Sequence, residues 1–70
     1  MENNLRTLRK ARGLTQMKLA EKSAVHRSVI ARFEIGQTTM SAKSLMKVAR
    51  ALDVSTDDIL RGGRSRGATT

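Results

Sequence analysis

"GLTQMKLAEKSAVHRSVIARFEIGQ", residues 13 to 37, decides how this chain is read. It divides at "SAVH" into two short segments whose apolar residues recur at helical spacing. In the first, Leu19 and Ala20 point inward while Lys18, Glu21 and Lys22 face water. Thr15 caps its start, and Leu14 and Leu19 stand at the N′ and N4 positions of a hydrophobic staple. The second begins at Val25 or His26, with Val29, Ile30 and Phe33 as its apolar face and Gly36 as its C-terminal stop. A strand reading of "AVHRSVIARF" fails, because Val29 and Ile30 are adjacent and no period of two runs through it. Neither segment is long enough to be a stable helix alone, so packing must hold both.

The flanks continue the helical pattern. A first helix is predicted from about Asn4 to Arg12, with Leu5, Leu8 and Ala11 on one face, Arg6, Arg9, Lys10 and Arg12 around them, and Gly13 just beyond its end. "QTTMS" is a loop. Ser41 caps a fourth helix that carries Leu45, Val48, Ala49 and Leu52 inward and Lys43, Lys47 and Arg50 outward. Ser55 caps a fifth, with Asp58 completing a capping box, and Ile59 and Leu60 end it. From residue 61 the composition turns to "RGGRSRGATT", in which nothing apolar offsets the entropy of ordering. The expected organisation is an all-α, five-helix domain over residues 1–60 and a flexible basic tail over 61–70.

Composition narrows the function. Seventy residues make at most one domain. The absence of Cys and the single His leave no disulfide framework, no thiolate site and no metal site. No apolar run reaches membrane-spanning length, and "MENNLRTLRK" lacks the apolar stretch of a secretory leader, so a cytoplasmic, nucleoid-associated protein is expected. The formal charge is +8, from 14 Lys and Arg against 6 Asp and Glu. Both the body and the tail are positive, which points to a polyanionic partner, nucleic acid first. There is no nucleophile–base pair, no carboxylate dyad and no phosphate-cradling loop after a strand, so neither an enzyme nor a cofactor is expected.

At "LTQMKLAEKSAVHRSVIARFEIG" the chain resembles the Cro and phage-repressor (XRE-like) family of helix-turn-helix DNA-binding domains. Leu14-Thr15-Gln16, Leu19-Ala20, Val25, Ile30 and Glu34 followed by Gly36 stand at the family's usual spacing. "LRTLRKARG" upstream and "LMKVARALDVSTDDIL" downstream match its first, fourth and fifth helices, so the likeness covers residues 5 to 60. The sequence departs from the pattern at Ala24, where the turn usually has Gly, and at Ser23, where a buried Leu is common and repacking around a methionine is one remedy. It also departs at His26, a poorer helix cap than Ser or Thr, and at Met40, near the place of a loop Pro.

The resemblance implies a lambda-repressor-like fold whose third helix enters the major groove of double-stranded DNA. It places Arg27, Ser28, Ala31 and Arg32 at base-reading positions. Arg can fork to guanine O6 and N7, Ser can donate or accept, and Ala can touch a thymine methyl. It places Gln16, His26, Gln37, Thr38, Thr39 and Lys43 against the DNA backbone, where they set register without reading sequence. It pairs Glu34 with Arg9, which the chemistry favours because Arg can satisfy both carboxylate oxygens. The implied function is a homodimeric transcriptional regulator, most simply a bacterial or phage repressor, on a partly palindromic operator. An antitoxin or a restriction–modification controller with the same fold is the alternative, and a toxin or polymerase contact is left open. The expected dimer surface is the fifth helix and the turn before it, through Val54, Ile59 and Leu60, with Ile59 and Leu60 also open to a core role.

Overall fold

The computed structural model describes residues 3–61. Its five helices are α1 (Leu5–Ala11), α2 (Gln16–Ser23), α3 (Arg27–Glu34), α4 (Ala42–Leu52) and α5 (Thr56–Leu60). Beyond Arg61, the tail expected over 61–70 lies outside the described residues. Among the described residues, no helix is long and apolar enough to cross a membrane.

Local chemistry sets the starts of the helices. The Thr15 hydroxyl accepts from the Lys18 amide at 3.0 Å, and the Ser41 hydroxyl from the Ser44 amide at 3.1 Å. Ser55 and Asp58 form a reciprocal capping box at 3.0 and 3.1 Å. Each bond satisfies an amide that has no partner within its helix. The start of α1 is closed differently. Asn4 stands at the cap position without a side-chain cap bond, and the Asn3 carboxamide oxygen accepts from Leu5 N at 3.0 Å instead.

The ends use left-handed backbone. Gly13 and Gly36 take φ of +72° and +79°, which glycine adopts without steric cost. Ala24, between α2 and α3, takes φ of +61°, and Asp53, after α4, takes +60°. At Ala24 the chain therefore makes the family's turn with a Cβ where glycine is usual, and bears the strain of doing so.

The core lies where the helices meet, with α2 packed on α4 and α3, and α5 on α4 and α1. Leu5, Leu19, Ile30, Val48, Leu52 and Ile59 are fully buried there, closed by Val25, Phe33, Leu45 and Ala49. One expectation changes, and one alternative left open is resolved. Ala11 is exposed, and the inward position on α1 one turn after Leu5 belongs to Arg9; residues four apart share a face, whereas Ala11 has rotated away. Ile59 is wholly core and offers no surface to a partner chain, while Leu60 beside it is 53% exposed.

Ser23 is buried where the family commonly has Leu. Its hydroxyl donates to the Leu19 carbonyl at 2.7 Å and accepts from the Val25 amide at 3.3 Å, so the short side chain satisfies itself within the turn. Met17 and Met46 are exposed, and Met40 packs only partly buried against the core. An open groove of about 580 Å³ beside Ser23 is lined by Lys22, Lys47, Arg50, Ala51 and Asp53.

Polar stitches tie α1 to the far ends of three other helices. The Asn3 amide group donates to the Phe33 carbonyl at 2.7 Å, the Asn4 backbone amide to the Ile59 carbonyl at 2.8 Å, and Arg12 Nε to the Leu52 carbonyl at 2.8 Å. Last-turn carbonyls lack partners within their own helix, and the residues flanking α1 donate to these three, the Phe33 carbonyl sharing its acceptance with the Gly36 amide at 3.0 Å.

Candidate nucleic-acid interface

Helix α3 has two faces. Ile30 and Phe33 are buried, and Val29 packs partly buried beside them. Arg27, Ser28 and Arg32 are exposed and Ala31 is half-buried. At ~100° per residue these four fall within an arc of ~140°, centred opposite the apolar arc. Along the axis, Arg27 to Arg32 spans ~7.5 Å, or roughly two base-pair steps of a duplex.

His26 caps this helix, a role its rank among capping residues does not suggest. Its Nδ1 accepts from the Ser28 amide at 3.2 Å and lies 2.9 Å from the Ser28 hydroxyl. An imidazole nitrogen with a free lone pair does the work of a Ser or Asp oxygen at this position. The residue expected at the DNA backbone thus also organises the start of the helix expected to read bases.

The stripe is held in place by a buried ionic cluster. Arg9 meets Glu34 with two prongs, Nε to Oε2 at 2.7 Å and Nη2 to Oε1 at 3.1 Å. The side chains are 9% and 2% exposed. Arg9 Nη1 also donates to the Leu14 carbonyl at 2.8 Å, fixing the chain just before α2. Gln16 Nε2 donates to Glu34 Oε1 at 3.0 Å. Gln16 is therefore partly committed to the protein, with its second amide hydrogen left for another acceptor. The resemblance implies the Arg9–Glu34 pair but not Gln16 as its third member, and no local pattern signals a contact 18 residues apart.

The same cluster shapes the charge. Between residues 24 and 52 the only acidic residue is Glu34, against Arg27, Arg32, Lys43, Lys47 and Arg50. Burial against Arg9 removes that one carboxylate from the surface, so α3 and the loop after it present only positive charge. Gln37 and Thr39 are exposed in that loop, Thr38 is half-buried with its hydroxyl donating to the Thr39 carbonyl at 3.3 Å, and Lys43 is exposed in the first turn of α4. Asp53, Asp57 and Asp58 gather around α5, where Asp57 pairs with Arg61 at 2.9 Å. Among the described residues, no group of His, Cys, Asp and Glu could hold a metal ion.

A family model described as Helix-turn-helix matches residues 5–59. The chain is 36% identical over 59 residues to the uncharacterised HTH-type transcriptional regulator YqaE of Bacillus subtilis, a match covering 84% of this chain and 51% of that protein. The chain thus spans about half the length of the curated relative it matches. Among solved structures it is similar to the restriction-modification controller protein C.AhdI from Aeromonas hydrophila, with TM-score 0.74 and 40% identity over 79% of this chain and 83% of that one. It also superposes on the hypothetical transcription factor NHTF from Neisseria with TM-score 0.83, covering 96% of this chain and 77% of that one; at 24% identity this is a likeness of fold.

Proposed function

The chain belongs to the helix-turn-helix family whose model spans residues 5–59, and from that premise we propose that it is a sequence-specific double-stranded DNA-binding regulator acting as a homodimer. The observation that carries this reading is the exposed stripe of α3. It bears Arg27, Ser28, Ala31 and Arg32, opposite a buried apolar face, and the one nearby carboxylate, Glu34, is locked inside by Arg9 and Gln16. Arg27 and Arg32 supply bidentate donors for guanine, Ser28 a hydroxyl, and Ala31 a methyl for thymine. Gln16, His26, Gln37, Thr38, Thr39 and Lys43 surround the stripe as backbone contacts that fix register.

A stripe of ~7.5 Å reads too few base pairs to mark one site in a genome. Two copies on a partly palindromic operator double the reading, with recognition helices ~34 Å apart. The half-exposed end of α5 at Leu60, with Val54 in the turn before it, is the surface proposed for self-association. Occupying a promoter in this way represses it. The likeness to a restriction–modification controller favours one second reading, in which the chain controls such a system.

Selection of bound duplexes from a random pool, followed by sedimentation of the complex, tests the proposal. A partly palindromic consensus with two chains per duplex is expected. One chain per minimal high-affinity site refutes the dimer, and a pool that yields no consensus refutes sequence-specific binding.

A further inference from the structure

We propose that His26 sets the direction of the Ser28 hydroxyl, so that Ser28 reads amino groups and not acceptors in the major groove. The inference rests on the reading above, that α3 presents Ser28 to base edges. Its own grounds are two contacts to one nitrogen. The Ser28 backbone amide can only donate, and it points at His26 Nδ1 from 3.2 Å. Nδ1 must therefore carry a lone pair, which puts the proton of the neutral ring on Nε2. The Ser28 hydroxyl oxygen lies 2.9 Å from the same Nδ1. Two lone pairs at that distance repel, so the hydroxyl hydrogen points at the ring.

The consequence is a serine with its single hydrogen already used. Outward it shows only oxygen lone pairs, which accept. In the major groove the groups that donate are adenine N6 and cytosine N4, whereas guanine O6 and N7, adenine N7 and thymine O4 accept. A free hydroxyl would serve either kind; this one selects amines. His26 has a matching second role, because its Nε2–H is left as a donor for a phosphate oxygen. His26 is here a positioning residue, acting on base choice through Ser28.

The test starts from the duplex selected from a random pool by the full chain. Ser28→Ala should erase preference at one base pair per half-site and leave the rest of the consensus. At that pair, the amine is removed by placing purine for adenine or 2-pyrimidinone for cytosine; the neighbouring acceptor is removed with 7-deazaadenine or 7-deazaguanine. Loss of the amine should weaken wild-type binding about two- to tenfold, the range for one hydrogen bond, and should not affect Ser28→Ala. The 7-deaza bases should bind both proteins alike. His26→Phe keeps the hydroxyl but frees it, and should lessen the dependence on the amine, because the hydroxyl can then turn its hydrogen to a neighbouring acceptor. Nitrogen-15 spectra of the free chain should show His26 protonated at Nε2, a readout independent of DNA. Dependence on the acceptor instead of the amine, no position lost in Ser28→Ala, or a ring protonated at Nδ1 would each overturn the inference while leaving sequence-specific binding intact. A pool without consensus would overturn the underlying reading and this one with it.

Discussion

Glu34→Ala removes a carboxylate that accepts three hydrogen bonds, at 2.7, 3.1 and 3.0 Å, while only 2% exposed. What remains is the cost. The Arg9 guanidinium keeps its bond to the Leu14 carbonyl but loses its counter-ion in a site too closed for water to replace it. Gln16 loses its acceptor as well. Orphaning one member of a buried ion pair costs ~3–5 kcal/mol. A chain of this length is stable by only ~4–10 kcal/mol in total. With ~4–8 °C lost per kcal/mol for a domain of this size, the melting temperature should fall by more than ~12 °C. Thermal melts followed by far-ultraviolet circular dichroism, with urea titrations at 25 °C, measure both quantities. The double variant Arg9→Met with Glu34→Leu should recover most of the loss, because a buried pair exchanged for apolar groups of similar volume leaves no charge stranded. A Glu34→Ala melt within ~3 °C of wild type would refute the reasoning, as would a double variant as unstable as the sum of its parts.

Three further outcomes follow from the same geometry. Ala24→Gly should stabilise the domain by ~0.5–1 kcal/mol, seen as a melt a few degrees higher, because glycine relieves the left-handed strain by more than it adds to the freedom of the unfolded chain. Operator binding should weaken steeply with salt: with six to ten phosphate contacts across the proposed dimer, log K should fall by ~5 to 9 per tenfold rise in monovalent salt, and deleting residues 61–70 should reduce that slope. Arg32→Ala should lose ~1–3 kcal/mol of discrimination at one base pair per half-site, whereas Gln16→Ala should weaken all DNA alike and also lower stability by ~1 kcal/mol through its bond to Glu34. Fluorescence anisotropy against duplexes with single base changes separates these two behaviours.

What the sequence made legible was local. Thr15, Ser41 and Ser55 reveal helix starts because a capping side chain and the amide it satisfies lie within three residues. The apolar faces of α3 and α4 read directly from spacing, and so did the outward stripe opposite them. What escaped was set by distance along the chain. Arg12 reaches the Leu52 carbonyl across 40 residues and Asn3 reaches Phe33 across 30, and no periodicity encodes either bond. Arg9 could be paired with Glu34 only through the family resemblance, because a charged residue on a basic helix gives no sign of being buried. His26 was undervalued as a cap because capping preference is tabulated by residue type, whereas the helix requires only a lone pair in the right place. Ile59 and Leu60 are adjacent and both apolar, so only the packing of α5 on α1 and α4 separates the core residue from the exposed one.

The stitching of α1 governs how the domain comes apart. An N-terminal helix of seven residues would ordinarily fray first, as a low-energy opening independent of the rest. Here its detachment takes the donors at Asn4 and Arg12 from the carbonyls of Ile59 and Leu52, removes one of the two donors to the Phe33 carbonyl, and withdraws Arg9 from Glu34 in the same movement. Partial opening is thereby made nearly as costly as complete opening. Native-state hydrogen exchange should show the amides of α1 exchanging with the same free energy and the same denaturant dependence as those of α4, a single cooperative unit from the first helix to the last. In a chain this small, such cooperativity keeps α3 either fully placed or fully lost.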